Sequence, residues 1–165
     1  MKKVYVGIGE YAVAHGQSVL QTILGSCVGV VIFDKFHRIG GLAHIYLPHS
    51  SVEKQTRINS NSSMLASVPK YADLLIPMMI NSLVRQGADK QYFTAYLVGG
   101  ASIFSFHKNP SLNVGKKNLD QARLLLKQEM IRTVEVKVGG TTGRKVTFDC
   151  YTGDLEVMEF SENIN

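Results

Sequence analysis

Cys27, in LGSCVGV, and His44, in GGLAHIYLP, are the residues whose types and spacing point to chemistry. A thiol attacks a carbonyl only as the thiolate, and an imidazole within reach can take its proton near neutral pH. Suppose that residues 28–33 and 38–43 form a hairpin around Asp34–His37. Residue 33 then faces 38, 32 faces 39, and the same ladder carried on sets Cys27 opposite His44. Directly opposed residues share a face, with Cβ atoms about 4.5–5.5 Å apart. Gly29 and Gly40 lie beside the pair and leave space above the backbone. The spacing therefore predicts a hairpin with two unlike faces. Val28, Val30, Ile32, Ile39 and Ile45 form a buried apolar side, and Cys27 and His44 lie on an open one.

Plainer readings of the same residues exist. A cysteine in a valine-rich strand commonly serves as a small buried hydrophobe. A metal site from Cys27, His37, His44 and His49 is a further reading, but this register puts His37 in the turn and His49 beyond Pro48. Convergence on one ion is then not specified. Cys150, in FDCYTG, has no histidine nearby and reads as structural.

The elements that must position these groups are mostly strands. VYVGIG (4–9), VLQTIL (19–24), VGVVIF (28–33), RIGGLAHIYL (38–47) and YFTAYLV (92–98) are short, β-branched and bounded by turn residues. Segments 133–138, 145–151 and 154–160 alternate apolar and polar side chains, and the turn YTGD joins the last two as a hairpin. One helix is predicted from Ser67 to Gly87, with Pro69 early and Pro77 inside, where a kink or break is expected. A second is predicted from Asn118, with Gln121 in a capping-box position. Leu119, Ala122, Leu125, Leu126 and Met130 give it an apolar stripe for packing on a sheet. Residues 50–63, rich in serine and asparagine and without periodicity, predict a mobile loop. The sum is a layered α/β sandwich of mostly antiparallel or mixed sheet with two main helices, in one domain spanning 1–165.

Composition narrows the class. At 165 residues and 45% apolar content the chain can fill one core, and 19% charged residues argue against wholesale disorder. Two cysteines cannot staple a secreted scaffold, and neither belongs to a CxxC pair. The start MKKVYVGIGEYAV reaches Glu10 before an apolar segment of signal-peptide length, and no 18-residue uncharged apolar run occurs. A cytoplasmic protein without membrane insertion is expected. The net charge of +5 comes from scattered lysines and arginines with no aromatic interleaving, so no nucleic-acid partner is expected.

LGSCVGV followed by AHIYLPHS resembles the chemoreceptor glutamine deamidase family CheD. GIGEYAV (7–13), KYAD (70–73), GGAS (99–102), NVGKKN (113–118) and GTTGRKV (140–146) match the same family in order, the last imperfectly. The resemblance implies a cysteine hydrolase that converts receptor glutamines to glutamate and, in some members, cleaves receptor methyl esters. It implies Cys27 as nucleophile, His44 as base, and a third catalytic residue, a threonine in the strand before the LGSC turn. Thr22 is the threonine of that strand, and a register moved by one residue would put Gln21 there instead. The backbone N–H groups around Gly25, Ser26 or Cys27 are candidates to hold the oxyanion. No metal or cofactor is implied. The implied partners are the cytoplasmic helices of chemoreceptors and, in many systems, a CheC-type phosphatase. A role mainly as a regulatory binding module is the alternative.

Overall fold

A computed structural model describes residues 1–46, 48, 71–102 and 113–160. Among the described residues nine strands form two sheets. The first has the order β1–β3–β8–β9, from Lys2–Tyr5, Ser18–Leu24, Arg144–Asp149 and Leu155–Glu159. The second has the order β2–β5–β4–β6–β7, from Tyr11–His15, Ile39–Ile45, Val28–Asp34, Phe93–Gly99 and Arg132–Val138. Of the pairings among the described residues, β1–β3 and β6–β7 are parallel and the others antiparallel. Helices α1 (Ala72–Arg85) and α2 (Val114–Gln128) cover one face of the five-stranded sheet, and the four-stranded sheet covers the other. The layered α/β sandwich expected from the strand pattern is the fold.

Both faces of the central hairpin are consequently buried. Every residue of β4 and β5 is inaccessible, as in strands sandwiched between two layers. Val28, Val30, Ile32, Ile39, Ala43 and Ile45 pack beneath Leu75, Ile76, Met79 and Leu83 of α1 and Leu119, Ala122 and Leu126 of α2. This bears out the predicted apolar face. The other face is not open. Val31, Phe33 and Leu42 pack against Leu20, Phe148 and Cys150 of the opposing sheet. A methyl group added at Gly40 would stand 2.8 Å from the Phe148 ring and 3.1 Å from Cys150 Sγ. The two glycines thus admit the second sheet closely rather than leaving a cleft.

The hairpin register also differs from the expected one. Gly29 pairs with His44, Val28 with Ile45 and Asp34 with Ile39, so the loop is 35–38 and Asp34 is the last residue of the ladder. The reason lies in the turn. Asp34 Oδ1 accepts from the N–H groups of Phe36 and His37, and Arg38 closes the loop with φ of 55°. His44 is therefore opposite Gly29, and Cys27 is its diagonal neighbour. The slip is of two residues, an even number, so Cys27 and His44 keep the same face.

Element boundaries differ as well. The expected strand 4–9 stops at Tyr5, because Gly7–Glu10 form a turn and Gly9 takes φ of 74°; Tyr11–His15 then forms a strand of its own. Helix α2 starts at Val114 rather than Asn118, capped by Asn113, whose side chain accepts from Lys116 N–H. Gly115 is tolerated in its first turn because that turn lies on the Gly100–Ala101 backbone, where a Cβ would come within 2.5 Å of the Gly100 oxygen. Asn118 is a buried residue inside the helix, donating to Tyr46 O at 3.1 Å. Of the stripe, Leu119, Ala122 and Leu126 are buried and Leu125 packs against their core, while Met130 lies beyond the helix end and is 92% exposed. Helix α1 continues unbroken through Pro77 and stops before Gly87, which takes φ of 103°. The final hairpin forms as expected, with β8 and β9 antiparallel. The loop 50–63 and His49 lie outside the described residues. No helix among the described residues is long and apolar enough to cross a membrane.

Candidate functional site

The site is built where the two sheets meet, at the end of the hairpin away from its loop. β3 alternates, turning Leu20, Thr22 and Leu24 toward the five-stranded sheet and Ile23 toward solvent. His44, on β5, faces Thr22 across the seam. The Thr22 hydroxyl lies 2.8 Å from His44 Nδ1 and 2.7 Å from the Val6 carbonyl. A carbonyl oxygen only accepts, so the single hydroxyl proton goes to Val6 O and the oxygen accepts from Nδ1–H. That assigns the tautomer: the proton is on Nδ1 and the lone pair on Nε2. Gln21, one residue earlier, is on the outer side of its sheet and donates to Thr147 Oγ1 at 3.2 Å. Thr22, then, is the residue that reaches His44.

His44 is 2% exposed, and its Nε2 is buried without a hydrogen-bond partner among the described residues. An unpaired nitrogen in such a place costs free energy, on the order of 1–3 kcal/mol, unless something else repays it. Burial pushes the imidazole pKa below its ordinary value, opposed by the Val6 carbonyl and the Glu10 carboxylate. The imidazole is accordingly neutral at physiological pH, the state in which Nε2 can act as a base.

Cys27 follows β3 by a short turn through Gly25 and Ser26 and stands immediately before β4. It is a free thiol, 7% exposed, packed with Leu24, Val98 and Val146. Burial raises its pKa, against a smaller lowering by its own backbone N–H. The thiol makes no hydrogen bond to Nε2. At rest the pair is therefore thiol and imidazole, not thiolate and imidazolium. Diagonal neighbours in a ladder have Cβ atoms somewhat under about 7–8 Å apart, a separation that a side chain as long as histidine can span. The turn carrying the thiol is fastened from behind: Gly100 N–H donates to Cys27 O at 2.8 Å and Ala101 N–H to Gly25 O at 3.2 Å.

Backbone also holds His44, which sequence reading did not find. Gly9 N–H donates to His44 O and His44 N–H to Glu10 O, each at 2.9 Å, and Gly7 N–H donates to the Glu10 side chain at 2.9 Å. The segment Val6–Glu10 thus clamps the histidine on both sides and supplies the carbonyl that orients Thr22. GIGE was a visible motif, but a main-chain carbonyl has no signature in the sequence. Arg144 is a second omission. It keeps phase with the inward residues Val146 and Phe148, and that periodicity was the available signal. It is 3% exposed, and its Nη1 has no partner among the described residues.

The remaining candidates are not gathered here. His37 is at the far end of the hairpin, paired with Asp34. Cys150 is completely buried, its pKa pushed up to about 11 by burial and the Asp149 charge. Among the described residues no group of histidine, cysteine and carboxylate side chains is arranged to hold a metal ion.

Comparison with known proteins extends this geometry. A family model described as CheD chemotactic sensory transduction matches residues 47–159. Three relatives share the name probable chemoreceptor glutamine deamidase CheD. That of Methanococcus maripaludis is 35% identical over 157 residues, 95% of each chain. That of Thermococcus kodakarensis is 37% identical over 160 residues, 96% of this chain and 94% of its own. That of Archaeoglobus fulgidus is 39% identical over 157 residues, 94% of this chain and 91% of its own. Relatives at this level of identity cover nearly the whole chain, and the chain belongs to the CheD family.

Proposed function

We propose that this chain is a cysteine hydrolase that deamidates glutamine side chains of chemoreceptors in the cytoplasm, using Cys27, His44 and Thr22. Two supports are independent of each other. Relatives covering nearly the whole chain are named chemoreceptor glutamine deamidases. The observation that carries the chemistry is the Thr22–His44 bond of 2.8 Å, with the threonine proton committed to Val6 O and Nε2 left unpaired.

The reaction follows from those assignments. When a glutamine carboxamide enters, the thiol turns toward Nε2 and gives up its proton as sulfur attacks the carbonyl carbon. Catalytic hydrogen bonds that are long in a free enzyme commonly tighten in this way. The carbonyl π pair moves onto oxygen, and N–H groups of Gly25, Ser26 or Cys27 hold the resulting oxyanion. Imidazolium donates its proton to the leaving nitrogen, the C–N bond breaks, and ammonia departs from a Cys27 thioester. Nε2 then takes a proton from water, hydroxide adds to the thioester, and the thiolate leaves and is reprotonated. Glutamine plus water gives glutamate plus ammonia. Thr22 keeps the ring in one tautomer throughout and stabilises the imidazolium by accepting from Nδ1–H, the orienting part of a catalytic triad.

A receptor methyl ester would enter the same cycle with methanol in place of ammonia. The +5 charge suits an acidic receptor helix. A CheC-type phosphatase is the regulatory partner that fits this reading. The test is mass spectrometry of a receptor cytoplasmic fragment from the same organism, incubated with the protein. A gain of about 1 Da at discrete glutamines, absent with Cys27→Ala, is expected, because –NH2 becomes –OH. Unchanged glutamines with folded protein would reject the enzyme and leave a binding module.

A further inference from the structure

Arg144 stands at the start of β8, directly opposite Leu24, the residue that precedes the Gly25–Cys27 turn. Its side chain is buried beside the seam, and a buried guanidinium with an unpaired nitrogen costs stability. Glu159, opposite it on β9, approaches Nε only at 3.4 Å and is 40% exposed. Such an ion pair contributes little on its own. Burial of this charge therefore needs a reason beyond fold stability.

The hydrogen bonds supply one. Arg144 Nη2 donates to the Gly139 carbonyl in the turn that joins β7 to β8. That turn opens with two glycines, Gly139 and Gly140, each with φ of 71°, a backbone that few other residues adopt. Gly139 N–H in turn donates to Gly99 O, and Ser102 N–H donates to Gly140 O, both at 2.8 Å. The turn thereby grips the end of β6 on either side of Gly100 and Ala101. These are the two residues whose N–H groups hold Cys27 O and Gly25 O. From guanidinium to nucleophile the path crosses three main-chain segments and no flexible side chain.

We propose that Arg144 is a positioning residue for the reaction: by holding Gly139 it fixes the 139–140 turn, through it the Gly99–Ser102 segment, and so the placement of the Gly25–Cys27 turn against His44. The inference rests on the reading of Cys27 as nucleophile. It requires that loss of the guanidinium slow the chemical step while leaving receptor binding as it was, because a misplacement near 1 Å can cost about 100-fold in rate.

The experiment compares Arg144→Lys, Arg144→Gln and Cys27→Ala with the unaltered protein. Deamidation kinetics on a receptor fragment and thermal unfolding are measured for each, and the rate of Cys27 alkylation by iodoacetamide for every protein that keeps the thiol. Expected for Arg144→Gln is a kcat lower by roughly 10- to 100-fold with KM within about twofold. Slowed alkylation of Cys27 in the folded protein should accompany it. Arg144→Lys, which can still donate to Gly139 O, should recover part of both. If Arg144→Gln does not fold, Arg144→Lys decides through its intermediate kcat at unchanged KM. Full kcat and unchanged alkylation in a folded variant would overturn the inference. So would a kcat loss that only follows the unfolded fraction. Activity retained by Cys27→Ala would instead overturn the reading of the nucleophile, so the two failures are separable.

Discussion

The two ends of the β4–β5 hairpin each carry a histidine, and they differ in what is left unpaired. At the loop end Asp34 is completely buried and its carboxylate accepts from Phe36 N–H, His37 N–H, His37 Nδ1 and Asp89 N–H, at 2.6–3.0 Å. Burial works to raise its pKa, but those donors outweigh it and hold the carboxyl below its ordinary value. Phe36 and Tyr92 stack over the turn with ring centres 5.0 Å apart. The Asp34 carboxylate thus satisfies four donors at once, and the result is a well-made turn. At the other end the histidine itself is buried: His44 is 2% exposed, its Nε2 is left open and a thiol lies diagonally across Gly29. A saturated polar cluster stabilises; an unsaturated one beside a thiol is what the proposed proton transfer requires.

The largest expected effect separates these ends outright. Cys27→Ala and His44→Ala should each lower kcat on receptor glutamine by about 10³-fold or more, measured by ammonia release, with thermal stability little reduced. Asp34→Ala should do the reverse. It strips four donors of their acceptor and should cost roughly 2–3 kcal/mol in urea unfolding, with kcat of the folded fraction kept within about twofold. Loss of activity on Asp34→Ala comparable to that of His44→Ala would break the contrast.

Smaller changes sharpen it. Thr22→Val removes the acceptor of Nδ1–H and should lower kcat by roughly 10- to 100-fold, since ring orientation is lost but the base remains. Gln21→Ala, on the outer side of the same strand, should leave kcat within about twofold. pH adds a further contrast. His44 is held neutral by burial, so the acid limb of kcat/KM should fall below the ordinary imidazole range. The same shift bears on stability. The unfolded chain takes up the proton more readily than the folded one, so the contribution is whole above the unfolded imidazole pKa and is lost as pH falls below it. Cys150 behaves oppositely: its folded pKa is raised to about 11, so its contribution is whole below the unfolded thiol pKa and is lost as pH rises through it. Cys150→Ala should flatten the alkaline decline in stability seen by urea titration while leaving kcat unchanged.

Much of this was legible in the residues, for physical reasons that can be named. Period-2 alternation revealed β8 and β9, and the β-branched runs of β3, β4 and β6 stood out between glycines. Those patterns report burial, which is local. Cys27 and His44 fell on one face because parity survives an even slip, even though the ladder was two residues off. The slip itself was hidden in Asp34, whose carboxylate builds the turn one residue later than the apolar pattern suggests. Helix α2 began four residues early because Gly115 answers to a neighbour, the Gly100 backbone, that no local pattern reveals. The supposed open face was closed for a similar reason. Gly29 and Gly40 are small to admit Leu24 and Phe148 from the opposing sheet, not to admit solvent. The choice between Thr22 and Gln21 likewise needed the second sheet, since only its pairing decides which side of β3 faces the histidine.

The central claim is that the His44 ring carries its proton on Nδ1, held by Thr22, and keeps Nε2 as the base for Cys27. Nitrogen-15 NMR of histidine-labelled protein reads this directly. The account predicts that His44, identified by the signal missing in His44→Ala, is the Nδ1–H tautomer at pH 7 and stays neutral until pH falls below the ordinary imidazole range. It also predicts that the tautomer becomes mixed in Thr22→Val. A His44 that is Nε2–H or imidazolium at pH 7 would contradict it.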